Sequence, residues 1–129
     1  MVFDEKRTQQ VWIYSHWCGT ELPEWLQTGL RDGKSRWGDD SYLARTIICR
    51  VIPEKQITEV TGFGISCRLQ DNEYPILVVD MQSQTVFSIP EEELTDAGQV
   101  PPDYKPDEVW TFEEYIALDA AKLSDVRKR

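Results

Sequence analysis

A change in the spacing of apolar residues most constrains what this chain can fold into. In residues 43–51 the spacing is helical, because Leu43, Ile47 and Val51 recur every fourth residue and so share one helix face. In residues 63–89 the spacing is that of strands, with alternating apolar and polar residues followed by short β-branched runs. A chain that changes period in this way must pack helices against a sheet, which predicts the α+β class.

The predicted elements follow one another in the order β-α-α-β-β-β-α. We expect one domain over residues 1–129, with a four-stranded, mostly antiparallel sheet and the helices packed on one face. The last three strands should form a meander, while the place of the first strand in the sheet stays open. Residues 91–110 are predicted to be an acidic, proline-containing linker. The predicted strands are 11–17, 63–69, 76–79 and 85–89. The first predicted helix starts at Pro23 and ends near Gly33. The second is capped by Asp39, Asp40 or Ser41 and ends before Pro53, and the third is capped by Thr111.

The last helix has an unusually complete start signal. Thr111 followed three residues later by Glu114 is the pattern of a capping box. Trp110 before the cap and Tyr115 inside the helix are spaced as a hydrophobic staple. Alanines favour continuation of this helix to about Leu123.

Cysteine use and the absence of long apolar runs predict a cytoplasmic protein. The longest apolar stretch, at 76–79, is far shorter than the ~20 residues that cross a bilayer. Residues 1–7 lack the apolar run of a signal peptide. Cys18, Cys49 and Cys67 are odd in number and widely spaced, which argues against both a disulfide framework and a metal site.

Negative charge is concentrated in one late segment. The chain carries a net charge of −9, and residues 91–114 hold nine acidic residues against one base, Lys105. Such a surface repels nucleic acid and membranes and attracts basic partners, although it also fits a solvated surface that only maintains solubility. The carboxylates expected to contact a partner are those of Glu91, Glu92, Glu93, Asp103, Asp107 and Glu108.

A second group of residues suggests a small pocket. His16 and Cys18 share a face at the end of the first strand, next to Tyr14. Gly62 and Gly64 would bring backbone close to a ligand, or else mark a β-bulge. Catalysis would need an orienting acid and an oxyanion hole that no motif supplies, so a structural histidine, a ligand contact and a catalytic base all stay open.

Three short runs resemble a family of small phage and bacterial proteins. They are residues 13–19, 40–45 and 61–66, which are similar to that family's Y-x-H-W-x-G strand end, D-x-Y-L-A-R helix start and T-G-Y-G-I-S strand. The resemblance spans about residues 11–89, and many members carry an aspartate at the position of Cys18. It implies a phage or prophage setting, and it places an anti-defence (anti-CRISPR-like) role among the functions to test.

Two functions follow from these patterns. In the first, a non-enzymatic binding protein of phage type occupies a host factor, such as a defence nuclease complex, by presenting carboxylates to a basic groove. Trp37 or Tyr104 would supply an apolar anchor, unless Trp37 simply folds back on the sheet. The alternative is a small-ligand-binding protein or hydrolase centred on His16. Neither function requires a cofactor or a metal, and the oligomeric state stays open.

Overall fold

The computed structural model describes residues 2–3, 10–15, 20–52, 54, 57–69 and 74–126. Within these ranges, every helix is too short or too polar to cross a bilayer. The strands are β1 (Val2–Phe3), β2 (Gln10–Ser15), β3 (Phe63–Ser66), β4 (Ile76–Asp80), β5 (Thr85–Ile89) and β6 (Trp110–Thr111). The helices are α1 (Leu22–Asp32), α2 (Asp40–Val51), α3 (Phe112–Ile116) and α4 (Ala120–Asp125).

The sheet consists of two antiparallel units that the short strand β1 joins. One unit pairs β2 with β3, and the other is the run β4-β5-β6. Strand β1 lies between them, antiparallel to β2 and parallel to β4, so the order is β3-β2-β1-β4-β5-β6. The α+β class is confirmed. The single four-stranded sheet and its three-strand meander are wrong, because β3 pairs with β2 instead of β4.

The first two helices begin and end within about one residue of the predicted positions, and Asp39 is the cap of the second among the three residues predicted. Pro23 lies in the first turn of α1, and Gly33 follows its last residue. Asp39 caps α2, where its carboxylate accepts a hydrogen bond of 3.3 Å from the backbone N–H of Tyr42. These local signals fix both helices independently of the sheet.

Both faces of the central strand β4 are buried. Successive residues of a strand point to opposite faces, and Val79 packs with the helices while Ile76 and Val78 pack in a second cluster. That second cluster includes Val100, and Leu94 and Tyr104 pack against it, so residues after β5 cover this face. The helix-side cluster includes Leu26, Leu30, Leu43, Ile47, Phe112 and Tyr115.

The predicted start of the C-terminal helix is confirmed. The Thr111 hydroxyl accepts a bond of 3.1 Å from the Glu114 N–H, and the Glu114 carboxylate accepts one of 2.8 Å from the Thr111 N–H. The rings of Trp110 and Tyr115 lie edge to face with centroids 6.0 Å apart, as the staple requires.

A single helix continuing to Leu123 is wrong. Helix α3 ends at Ile116, and Asp119 caps a separate helix, α4, by accepting a bond of 2.8 Å from the Lys122 N–H. The Gln27 side-chain amide from α1 donates to backbone carbonyls in the break between the two helices. This break turns α4 so that its last residues line a groove.

Candidate functional site

An acidic cavity of about 660 Å³ forms a groove between the end of β5 and helix α4. We call it the acidic groove. Its charged lining residues are Glu93, Asp103, Lys105, Asp107, Glu108 and Asp125. Tyr104, Trp110 and three prolines supply the remaining rigid surface around these charges. The groove is therefore a concave, negatively charged surface with aromatic walls.

Two tight turns place the carboxylates around the groove. The backbone N–H of Glu93 donates to the Pro90 carbonyl over 3.0 Å, which closes the 3₁₀ turn Glu91–Glu93. The N–H of Tyr104 donates to the Pro101 carbonyl, also over 3.0 Å. Proline fixes its own φ and limits the conformations available nearby, so both turns are restricted before any partner binds.

Tyr104 forms the aromatic wall of the groove. Its ring packs against Phe87 of β5, with centroids 6.0 Å apart. Burial raises the pKa of the Tyr104 phenol, and the negative charges of Glu93 and Asp107 raise it further. The hydroxyl is therefore a neutral hydrogen-bond donor in the groove near neutral pH.

A lysine from α4 lies at the edge of the groove. The Lys122 Nζ is 2.8 Å from one carboxylate oxygen of Glu108 and 3.0 Å from the other. It also lies 5.9 Å from the centroid of the Trp110 ring, within cation–π range. The hydrogen bond to Glu108 is the main cause of a raised Lys122 pKa, so this ammonium stays charged.

The structure brings together five of the eight residues predicted to contact a partner. They are Glu93, Asp103, Tyr104, Asp107 and Glu108. Sequence analysis missed Asp125 and Lys122 because their approach to the acidic segment depends on the break between α3 and α4, and it assigned Trp110 only to the hydrophobic staple. No spacing in the sequence indicates that break except the N-cap residue Asp119.

The other three predicted contact residues lie elsewhere. Glu91 lines a separate depression, which Arg68 also lines. Glu92 is exposed and lines neither this depression nor the acidic groove. Trp37 packs edge to face with Phe112 at 5.4 Å, in the helix-side cluster. Its indole N–H donates to the Leu30 carbonyl over 2.9 Å, so this side chain anchors its own loop.

The predicted pocket is described only in part. His16 and Cys18 lie outside the described residues, so a role for either stays a prediction. Tyr14 and Gly64 are direct cross-strand partners of β2 and β3. Gly62 has a φ of 103°, which favours glycine whether or not a ligand is present.

Comparisons with protein families, with curated proteins and with solved structures give no match for this chain. The functional argument therefore depends on the acidic groove.

Proposed function

We propose that the protein is a small acidic binding protein whose groove takes a basic segment of a partner protein. The observation that carries this proposal is the arrangement of Glu93, Asp103 and Asp107 around one groove. Among the described residues, no lysine or arginine forms an ion pair with any of these three carboxylates. Carboxylates gathered in a concavity focus negative potential and attract lysine and arginine side chains.

The proposed partner is a host factor with a basic surface. The resemblance to phage proteins supports a host target, and a defence nuclease complex has the required chemistry because its nucleic-acid groove must carry positive charge. A protein that presents carboxylates to such a groove competes with the phosphates of nucleic acid. We propose binding instead of catalysis because carboxylates and a protonated phenol recognise ammonium and guanidinium groups directly.

A charge-reversal experiment tests the proposal. The probe is a fluorescein-labelled hexa-arginine peptide with blocked ends, and its affinity is measured by fluorescence anisotropy. Reversing Glu93, Asp103 and Asp107 together to lysine should lower affinity at least about tenfold at low salt. Wild-type affinity should fall between about 50 and 500 mM NaCl because salt screens exposed charges.

The matched control reverses three exposed carboxylates outside the groove, those of Glu54, Glu59 and Asp96. It changes the net charge equally and should alter affinity by less than about twofold. Equal losses in both triple variants, or wild-type binding that does not change with salt, would contradict the proposal. A pull-down from host lysate with wild type and the groove variant then identifies the partner, which should be retained only by wild type and released at high salt.

A further inference from the structure

Lys122 already places an ammonium group where a partner's basic side chain would be expected to bind. Its Nζ contacts both oxygens of Glu108, at 2.8 and 3.0 Å, and faces the Trp110 ring at 5.9 Å. Glu108 and Trp110 both line the acidic groove. A carboxylate beside an aromatic ring is an arrangement that binds lysine or arginine from any source.

The contact is suited to replacement because it is exposed. The Lys122 and Glu108 side chains are 42% and 49% exposed, and exposed ion pairs contribute little to stability. Helix α4 does not depend on the ammonium, because Asp119 caps it through the backbone N–H of Lys122. Leu123 and Val126 are buried in the helix-side cluster, so the packing of this helix depends on apolar side chains and not on the ammonium.

We propose that Lys122 occupies the site formed by Glu108 and Trp110 at the edge of the acidic groove, and that a lysine or arginine side chain of the partner replaces it there. This inference rests on the proposed function and identifies Lys122 as the group that limits the affinity for a basic partner. The remaining carboxylates, Glu93, Asp103 and Asp107, give positions for further cations. The segment that fits the groove therefore carries several basic residues, since one cation alone would only exchange with Lys122.

The test compares wild type with Lys122→Met in the hexa-arginine anisotropy assay at low salt. The substitution keeps much of the side-chain volume, removes the competing ammonium and frees the Glu108 carboxylate. Affinity should increase about two- to fivefold, the range expected for releasing one exposed ion pair. Addition of the peptide to wild type should also shift the NMR signal of the Lys122 ε-methylene as the ammonium leaves Glu108.

Lys34→Met is the matched control. Lys34 forms a somewhat more exposed ion pair, with Glu113 at 2.7 Å, and neither residue lines the groove. The control makes the same change in net charge and should leave peptide affinity within about 1.5-fold of wild type. An equal increase in both variants would mean that overall charge, and not replacement of Lys122, sets the affinity.

The outcomes separate this inference from the proposed function. If wild type binds the peptide and the triple groove reversal abolishes binding, but Lys122→Met is unchanged or weaker, only the replacement by a partner cation is wrong. If the Lys122 signal does not shift in wild type saturated with peptide, the replacement of Lys122 is also wrong. This measurement does not require the variant to fold. If wild type does not bind the peptide at all, both proposals are wrong.

Discussion

The side-chain amide of Gln27 gives the sharpest test of how the C-terminal helices are held against α1. Gln27 is only 7% exposed, and its Nε2 lies 2.8 Å from the Leu118 carbonyl oxygen and 3.2 Å from those of Tyr115 and Ile116. The amide nitrogen carries two hydrogens, so at most two of these three bonds are strong at once. One buried side chain thus holds the break between α3 and α4.

The cost of losing this amide follows from what else binds the three carbonyls. The Ile116 carbonyl also accepts from Arg31 over 3.0 Å, and the Tyr115 carbonyl accepts from the Leu118 N–H over 3.2 Å. Gln27→Met therefore removes the partner mainly from the Leu118 carbonyl. The Leu118 carbonyl is partly buried. A buried acceptor that loses its partner costs about 1–3 kcal/mol, and methionine preserves the packing, so we expect a loss of up to about 2 kcal/mol in the free energy of unfolding. For a chain of this length that lowers Tm by up to about 7 °C.

Urea unfolding followed by tryptophan fluorescence measures this change. The control is Gln82→Met, because Gln82 is exposed and only its backbone N–H bonds, to the Asp80 carboxylate over 3.0 Å. The control should stay within about 0.5 kcal/mol of wild type. A Gln27→Met protein as stable as the control would refute the assignment of the amide as the link between α1 and the C-terminal helices.

Two further predictions use the same structure. Gly29→Ala should lower the free energy of unfolding by about 1 kcal/mol, although alanine has the better helix propensity, because the new Cβ would lie 3.0 Å from the Ile47 Cα. The control Gly38→Ala, whose Cβ would have no atom within 4 Å, should not lower it. Urea unfolding measures both variants. Burial and then Glu93 raise the pKa of Tyr104, so Glu93→Gln should lower it in an absorbance titration corrected with Tyr104→Phe. Because folding raises the pKa of Tyr104, the protonated phenol contributes to the stability of the folded state below about pH 10. This contribution is lost as the pH rises through the folded-state pKa.

The helices could be predicted from sequence because their signals are local. Asp39, Pro23 and Thr111 each act within a few residues of the helix end that they fix. The one failure, the break before Asp119, has a tertiary cause. Gln27 donates to carbonyls that a continuous helix would have used internally, and that residue is about ninety positions away.

The sheet could not be predicted to the same depth because strand pairing is not local. Strands β1 and β6 have two residues each, too few to show a period. Alternation at 63–69 predicts that Ile65 faces the core, yet its side chain is 55% exposed and β3 ends at Ser66. β3 is an edge strand of the sheet, with only β2 beside it, so an apolar residue there need not be covered.

The acidic groove is the part of the site in which sequence and structure agree most, and its charge balance is its most informative property. The described ion pairs of the acidic segment involve Glu108 with Lys122 and Glu113 with Lys34. Both pairs use the C-terminal part of the segment, next to the helices.

Burial is the main cause of the raised pKa of Tyr104, and the nearby carboxylates of Glu93 and Asp107 raise it further. Like charges held close together destabilise a folded chain, and lysine at one of these positions would relieve the repulsion. Positions where a chain keeps such a local conflict are commonly functional, because a partner resolves it on binding. The gathering of Glu93, Asp103 and Asp107 around one groove, and not the number of acidic residues in the chain, is therefore the physical reason to look for a basic partner there.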